Sequence, residues 1–444
     1  MDEATRAVLQ RRHVLAFGLA VIAVLFLVFA LLKTLDGLGW GYDFEAYFQA
    51  ALRLARQQPG ESIYVSYTLD GPFSPGPPGL YLYAPPLAVA VLPFTMLSVP
   101  AATIAFFVLR VLLLALACGV MPVSRTIRLV VFAVAAFSFP VLQDLVLGNV
   151  SVLVVVAMAF AWRWLDRPVG SIASAIAISV RPTLGVLLLW WAVRRRWRPL
   201  GWALGAGVVL IVLTLPFVGS RAYTDYLTML RNVSQVTGVT NNLDLASTVL
   251  RFNVVPLVAT LALYAGYAIA IVAMVASLRY DRDLSFMVTI GGSLLLAPLL
   301  WDHYLAGLLL PAAFLAQRGR TWGLALPLLG WLPAPLLPLV AIVGTLVPFL
   351  AEARPGIDQP ALDPRPIRLP WRPRPVALAP APVPVAAAAV SSVGPGPEAE
   401  EPPVAAPVTA AHAASAAPVS ASASVTPQLE AAPPIGSNTT SSPG

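Results

Sequence analysis

The sequence predicts an all-α protein: a polytopic bundle of membrane helices with a disordered C-terminal tail. Of the 444 residues, 58% are hydrophobic and only 11% are charged. Soluble domains carry about 25% charged residues, so this chain lacks the charge needed to cover a water-facing surface. Up to residue 352, apolar runs long enough to cross a ~30 Å hydrocarbon layer alternate with short polar joints. These observations exclude a soluble enzyme, a nucleic-acid-binding domain and a disordered regulator.

The cationic residues orient the chain in the membrane. The net charge of +7 comes from 28 Lys+Arg against 21 Asp+Glu, and the arginines stand at the ends of apolar runs, which the positive-inside rule explains without a nucleic-acid partner. The first apolar run, 14–32, follows a basic start and lacks a small-residue cleavage site. We therefore predict an uncleaved first span with a cytosolic N-terminus. The single cysteine excludes an intramolecular disulfide.

Taking the arginine-rich joints as cytosolic gives a consistent path for most of the bundle, and we predict about 10–12 membrane helices. The alternating spans lie near 101–120, 129–147, 149–163, 200–218, 255–278, 284–300 and 303–317. Segment 81–97 is predicted to dip into the outer leaflet and return. Segment 321–350 fits either one broken span or two.

Segment 170–193 carries Arg181-Pro182 at its midpoint and has arginine-rich joints at both ends. Proline breaks a helix, and an arginine at mid-membrane costs about 2.5–3.5 kcal/mol on insertion scales. We therefore predict a hairpin of two short helices with Arg181 near its apex.

The composition changes near Glu352, which predicts a membrane domain over 1–352 and a tail over 353–444. The tail is rich in Ala, Pro, Ser and Val and cannot bury enough apolar surface to offset its ordering entropy. We expect it to be disordered, with a basic first part suited to anionic headgroups.

The same path places polar side chains on the non-cytosolic face, and we predict that they form one site there. The residues are Asp43, Gln143, Asp144, Asn149, Arg181, Asn241, Asn242, Asp244, Asp302 and His303. Structural roles remain open for several of them. Asp43 is suited to capping the amphipathic helix that follows it, and Asn149 to hydrogen bonding between helices. For Arg181 we predict a functional role, because placing an arginine inside the membrane costs free energy.

Aspartate, arginine and histidine together suit glycosyl transfer from a phosphate-linked donor. A carboxylate accepts the proton of the attacking hydroxyl, and an arginine binds the leaving phosphate bidentately. Histidine donates to the same phosphate or relays a proton. The sequence has no metal-site spacing, glycine-rich phosphate loop or nucleophile elbow. We therefore predict no cofactor and no protein-ligated metal.

Seven short motifs, in this order, resemble bacterial glycosyltransferase family 87, which includes polyprenol-phosphate-mannose-dependent α-mannosyltransferases and related arabinofuranosyltransferases. The motifs are Asp43-Phe-Glu-Ala-Tyr-Phe-Gln-Ala-Ala, Tyr83-Ala-Pro-Pro-Leu87, Leu147-Gly-Asn-Val150, Val180-Arg-Pro-Thr183, the arginine run after Trp191, Asn241-Asn-Leu243 and Leu300-Trp-Asp-His-Tyr304. The resemblance covers about residues 10–350. The family often has Gly-Gln before its Asn and commonly has Lys where Arg181 stands. These departures leave the sugar open.

The resemblance implies a GT-C bundle that moves a sugar, with mannose first among the candidates, from a polyprenyl-phosphate donor to a lipid or glycan acceptor. Transfer is expected to take place on the outer face of the cytoplasmic membrane and to invert the configuration at the anomeric centre. By position, Asp43 corresponds to the catalytic base, and Arg181 and His303 to ligands of the donor phosphate. Sugar or acceptor binding is expected for Tyr83, Asn149, Asp302, Asn241 and Asn242.

Two other classes remain open from the sequence. A transporter or flippase of a lipid-linked sugar also uses a charged residue in a broken helix, although two similar halves are not seen here. A non-catalytic scaffold would use the bundle as an anchor and the tail to recruit partners.

Overall fold

The computed structural model describes residues 3–35, 40–56, 62–65, 69–70, 80–234 and 242–351. Helices, turns and short irregular segments make up these residues, and no strand occurs among them, which confirms the all-α class. Asn241 and the predicted tail, 353–444, lie outside the described residues.

The α-helices are numbered in chain order. They are α1 (Glu3–Leu35), α2 (Tyr42–Arg56), α3 (Pro85–Val91), α4 (Val99–Val120), α5 (Arg125–Phe137), α6 (Phe139–Leu147), α7 (Ser151–Arg163), α8 (Pro168–Val180), α9 (Val186–Val193), α10 (Trp197–Ser234), α11 (Leu245–Leu250), α12 (Pro256–Ser277), α13 (Arg282–Leu295), α14 (Leu309–Gln317) and α15 (Leu337–Leu346). Short 3₁₀ helices lie at Leu92–Met96, Pro182–Gly185, Asp302–Leu308, Thr321–Trp331, Ala334–Leu336 and Val347–Ala351.

Several of these helices are long and apolar enough to cross a membrane, which confirms a polytopic membrane protein. In the described part of the chain there are five, or six if the α5–α6 pair, bent by 63°, is one broken span. The five are Arg6–Lys33, Val99–Val120, Trp197–Val233, Pro256–Ser277 and Ala334–Ala351. This count is below the predicted 10–12, because several predicted spans are shorter helices. A 13-residue helix such as α7 is only about 20 Å long, less than the ~30 Å hydrocarbon layer.

The break at the end of α8 lies next to a proline. At the end of α8, Arg181 has an extended conformation (φ −131°, ψ 94°), and the chain continues through the 3₁₀ helix Pro182–Gly185 into α9. Proline disfavours a helical conformation at the residue before it, so the predicted break is present at Arg181. The segment leaves from residues 163–167 and returns to residues 194–198 at the same end of the bundle, with Arg181 at its turn as the hairpin predicts, but its two short helices do not pack on each other. Instead α8 packs against α7 and α10, while α9 packs against α10 and α13.

The arginine-rich connections come together at one end of the bundle, which we call the arginine-rich end (residues 125–128, 163–167, 194–198, 279–282 and 318–320). Asp166 there pairs with Arg282 and, at 3.9 Å, with Arg196. Arg318 pairs with Asp281 at 2.9 Å. Further contacts join Arg194 Nη2 to the Leu278 and Tyr280 carbonyls, Arg163 Nη1 to the Val120 carbonyl, and the Ser124 amide to Gln317 Oε1.

Three connected elements run between this end and the opposite one. The α5–α6 pair begins at Arg125 and ends at Leu147, α7 returns to Arg163, and α8 leaves again and ends at Val180. Asn149 and Arg181 follow the ends of α6 and α8. The fold therefore places both residues away from the arginine-rich end.

Candidate functional site

Asp43 lies in the first turn of α2, one residue past the start of the helix. Its Oδ2 accepts a hydrogen bond of 2.8 Å from Asn149 Nδ2, a residue 106 positions later in the chain. The start of α2 is held against the end of α6 because the Gly41 amide donates to the Val146 carbonyl at 2.9 Å. This placement favours a role for Asp43 at the site over capping of its own helix.

Asn149 joins several parts of the site. Besides Asp43, its Nδ2 donates to the Tyr83 hydroxyl at 3.0 Å. Its Oδ1 accepts from the Val150 amide at 2.7 Å and from Ser151 Oγ at 3.3 Å. A backbone amide can only donate, so the contact with Val150 fixes Oδ1 as the acceptor and turns the amide nitrogen toward the carboxylate. The Asn149 side chain is 3% exposed.

Gly148 allows this approach. It ends α6 in the left-handed conformation (φ 80°, ψ 26°), which glycine adopts without steric cost. A Cβ at this position would lie 2.6 Å from Phe44 Cβ and 3.0 Å from the Phe44 amide nitrogen. Only a residue without a side chain lets the turn after α6 touch the backbone beside Asp43.

We expect Gly148→Ala to destabilise the protein by about 1–2 kcal/mol from the left-handed backbone alone, with a further loss from the collision with Phe44. The measurement is the thermal unfolding midpoint in detergent. Gly119→Ala is the matched control, because Gly119 lies inside α4 with no atom within 4 Å of an added Cβ. Alanine is favoured over glycine in a helix, so the control should unfold at an equal or higher temperature. Equal midpoints for Gly148→Ala and the wild type would contradict this role.

The Asp43 carboxyl is only partly solvated, and this changes its pKa. Burial raises the pKa of Asp43 to about 6, while the Asn149 hydrogen bond and the positive charge of Arg110 act in the opposite direction. Burial disfavours the charged form, whereas a donor and a cation favour it. The carboxylate is therefore ionised at neutral pH and protonated in mildly acidic solution.

Arg181 supplies the positive charge of the site. Its side chain is 7% exposed, its Nη2 donates to Ser151 Oγ at 2.8 Å, and its guanidinium carbon lies 3.7 Å from the centroid of the Tyr304 ring. No carboxylate of the described residues is within salt-bridge distance of this guanidinium. A buried cation without a counter-ion is suited to binding an anion.

Hydrogen bonds connect the acidic and basic parts. Ser151 Oγ accepts from Arg181 and donates to Asn149 Oδ1, and Asn149 donates to Asp43. Of the residues selected from the sequence, Asp43, Tyr83, Asn149 and Arg181 thus belong to one network. Ser151 was missed, because nothing but its distance of two residues from Asn149 indicated a role.

His303 lies beside this network, whereas the Asp302 carboxyl interacts with the charge of Arg251. The His303 ring is 5.0 Å from that of Tyr304, the residue under the Arg181 guanidinium. His303 is 5% exposed, and among the described residues neither His303 Nε2 nor Asp302 Oδ1 has a hydrogen-bond partner. Both atoms are therefore free to contact a ligand.

Asn242 has a different environment. Its Nδ2 donates to the Pro298 carbonyl at 2.9 Å, and its Oδ1 accepts from the Leu300 and Asp244 amides at 2.9 and 3.1 Å. The side chain is fully buried and joins two backbone segments, which is a structural role. Asn241 lies outside the described residues.

Among the described residues, no group of three or more His, Cys, Asp or Glu side chains is placed to hold a metal ion.

Residues 81–301, about half of the chain, match the family model for glycosyltransferase family 87. The matched region includes Tyr83, Asn149 and Arg181, while Asp43 and His303 lie outside it. Comparison with curated proteins and with solved structures gives no match.

Proposed function

The chain is a member of glycosyltransferase family 87 and a membrane glycosyltransferase, and on this basis we propose a donor, a catalytic base and a side of the membrane. The donor is a polyprenyl-phosphate sugar, with mannose as the first candidate. The acceptor is a lipid or glycan at the outer face of the cytoplasmic membrane. Asp43 is the general base, and the reaction inverts the anomeric centre.

The observation that carries the proposal is the network from Asp43 through Asn149 and Ser151 to Arg181. A carboxylate and a guanidinium are held on the same short network of hydrogen bonds at one end of the bundle. Sugar transfer from a phosphate donor needs these two groups, one beside the attacking hydroxyl and one beside the leaving phosphate.

The step balances without a cofactor. The acceptor hydroxyl gives its proton to the Asp43 carboxylate as its oxygen bonds to the anomeric carbon. The bond from that carbon to the phosphate oxygen breaks, and its electron pair leaves with the polyprenyl phosphate. Arg181 stabilises the charge on the phosphate, and His303 donates a further hydrogen bond to it. A single displacement of this kind inverts the configuration at the anomeric carbon.

The position of the site favours the outer side. Arginine-rich ends face the cytosol under the positive-inside rule, and Asn149 and Arg181 lie at the other ends of α6 and α8. Because α7 and α8 each have 13 residues, the site lies about 20 Å from the arginine-rich end. That depth falls within the outer half of a ~30 Å hydrocarbon layer, where the phosphate of a lipid donor can enter from the bilayer.

The experiment is transfer of labelled sugar in membranes that contain the wild type or no added protein. Polyprenyl-phosphate mannose is offered first, followed by other polyprenyl-phosphate sugars and a nucleotide sugar. Label that moves from a polyprenyl-phosphate donor to a glycolipid or glycan, only with the protein present, supports the donor class. Transfer from the nucleotide sugar in washed membranes would overturn it. Label that crosses the membrane on an intact donor would instead support the flippase alternative.

Transfer should depend on pH through Asp43. Because burial raises the pKa of Asp43 to about 6 and the base must be ionised, kcat/KM should fall as the pH drops through about 6 and reach a plateau above it. Asn149→Leu removes the hydrogen bond that favours the ionised form, so its acidic limb should move to higher pH. The check is kcat/KM for both proteins at pH values on either side of 6.

Thermal unfolding over the same pH values is the control for acid denaturation. Identical midpoints of the acidic limb in the wild type and Asn149→Leu would show that Asp43 is not the titrating group.

A further inference from the structure

Arg110 is a buried charge in the middle of α4, an otherwise apolar helix long enough to cross the membrane. The side chain is 1% exposed. Arg110 does not belong to the arginine-rich end, so the positive-inside rule does not explain its position. Its guanidinium lies on the end of α6. Nη1 donates to the Asp144 carbonyl, Nη2 donates to the Leu145 carbonyl at 2.9 Å, and Nη1 is also 3.4 Å from the Asn149 carbonyl.

Asp144 is fully buried and faces the same guanidinium, with Oδ2 3.6 Å from Arg110 Nη1. Its Oδ1 accepts from the Ser151 amide at 2.7 Å. Its main-chain carbonyl accepts from the Gly148 and Asn149 amides at 3.0 and 2.9 Å. Asp144 therefore binds both ends of the turn formed by residues 148–151, which we call the 148–151 turn.

Every backbone amide of the 148–151 turn is thereby bonded. Gly148 and Asn149 donate to the Asp144 carbonyl, Val150 donates to Asn149 Oδ1, and Ser151 donates to Asp144 Oδ1. Arg110 binds the Asp144 and Leu145 carbonyl groups near the end of α6, just before this turn, and contacts the Asn149 carbonyl within it. The 148–151 turn also carries Asn149, whose side chain donates a hydrogen bond to Asp43, and Ser151, whose hydroxyl accepts one from Arg181.

Stability alone is a poor reason for this arrangement. Apolar residues of similar volume often replace a buried ion pair without loss of stability, and an arginine inside an apolar span is costly. The geometry has a more specific consequence, because one guanidinium binds the backbone next to Asn149 and Ser151, the hydrogen-bond partners of Asp43 and Arg181.

We propose that Arg110 and Asp144 are positioning residues, which fix the 148–151 turn and thereby set the placement of Asp43 relative to Arg181. This inference rests on the proposed function, since it assigns the two residues to the same reaction. Neither residue needs to touch the substrate. Their effect is to make the base and the phosphate-binding arginine a preorganised pair.

Arg110→Lys tests the positioning and Arg110→Met tests the charge. Lysine keeps the positive charge but cannot reproduce the planar fork that binds several carbonyls, so we expect kcat to fall about tenfold while KM for the donor stays close to the wild-type value. The acidic limb of kcat/KM should stay in place. Methionine removes the charge as well, so kcat should fall further and the acidic limb should move to higher pH.

The charged and titratable groups that interact with Asp43 from the packed elements must be unchanged for this pH comparison. Besides Arg110, they are Tyr42, Tyr47, Tyr83, Asp144 and Tyr304.

Arg194→Lys and Arg194→Met are the matched controls. Arg194 also binds the carbonyls that end a helix, those of Leu278 and Tyr280 after α12, but it does so at the arginine-rich end. Substitution there is expected to lower the unfolding temperature without changing kcat or the acidic limb. If the Arg110 variants behave like the Arg194 variants, Arg110 has a structural role only and the inference is wrong. If Arg110→Met does not fold, Arg110→Lys alone decides.

Hydrogen exchange gives a readout that does not depend on transfer. Faster exchange of the four amides of the 148–151 turn in Arg110→Lys, with no change in Arg194→Lys, would support the inference even if no donor sugar is transferred by the wild type. If the wild type transfers no sugar, that result counts against the proposed function and not against the positioning role. Unchanged exchange in Arg110→Lys would overturn the positioning role.

Discussion

Replacing Asp43 by asparagine is expected to lower the rate of sugar transfer by about a thousandfold, the middle of the range for loss of a general base. The substitution has nearly the same shape and size, so packing against Phe44 and the start of α2 should survive. What it removes is the negative charge and the ability to accept a proton in the reaction. Because the carboxylate is the acceptor of the hydrogen bond from Asn149 Nδ2, the asparagine can still accept that bond through its own oxygen.

Stability separates a chemical effect from a folding effect in this variant. Burial raises the pKa of Asp43 to about 6, which means that the fold disfavours its ionised form relative to the unfolded chain. At neutral pH the neutral asparagine should therefore unfold at the wild-type temperature or slightly above it. A thousandfold loss of transfer with an undiminished unfolding midpoint is the expected pair of results.

Two comparisons make the test sharper. Asp43→Glu keeps the charge but moves the carboxylate by one methylene, so partial activity with a retained acidic limb would support a base that needs accurate placement. Glu45→Gln changes a carboxylate in the same first turn whose side chain is exposed, and it should transfer at the wild-type rate. Wild-type transfer by Asp43→Asn would exclude Asp43 as the base.

Hydropathy and the order of the motifs predicted the fold class and several of the residues that form the site. The all-α membrane class followed from composition, and the break at Arg181 followed from the proline after it. The structure places Asp43, Asn149 and Arg181, which the predicted path put on one face, in one network with Tyr83, which only the family resemblance selected. The number of spans was too high, because an apolar run does not reveal whether its helix reaches across the bilayer or stops after about 20 Å.

Arg110 and Ser151 show why the rest could not be predicted. Arg110 is one charge within the apolar run 99–120, and the sequence did offer a usable indication, since an arginine in a membrane span is rarely without a function. Its partners, however, are main-chain carbonyl groups at the end of α6. Such contacts depend on how two helices cross, and no side-chain pattern encodes them. Ser151 likewise acts through a turn whose geometry depends on the positive φ of Gly148.

Replacing Arg181 by methionine is expected to have opposite effects on activity and stability. Transfer should fall by about a hundredfold, because a hydrogen bond to a charged group contributes about 1.5–3 kcal/mol and an arginine can make two of them to one phosphate. The free energy of unfolding should stay at the wild-type value or rise. Arg181 is buried and has no carboxylate partner among the described residues, so methionine removes the cost of an uncompensated charge.

Inhibition by lipid analogues assigns this loss to the phosphate. Polyprenyl phosphate should inhibit the wild type far more strongly than the corresponding polyprenol, since only the phosphate can pair with Arg181. In Arg181→Met the two compounds should inhibit about equally, and Arg181→Lys should recover part of the difference. Arg194→Met, which removes an arginine from the opposite end of the bundle, should leave the discrimination intact. Retained preference for the phosphate in Arg181→Met would assign phosphate binding to another residue, and His303, whose Nε2 has no partner in the described part of the chain, would be the next to test.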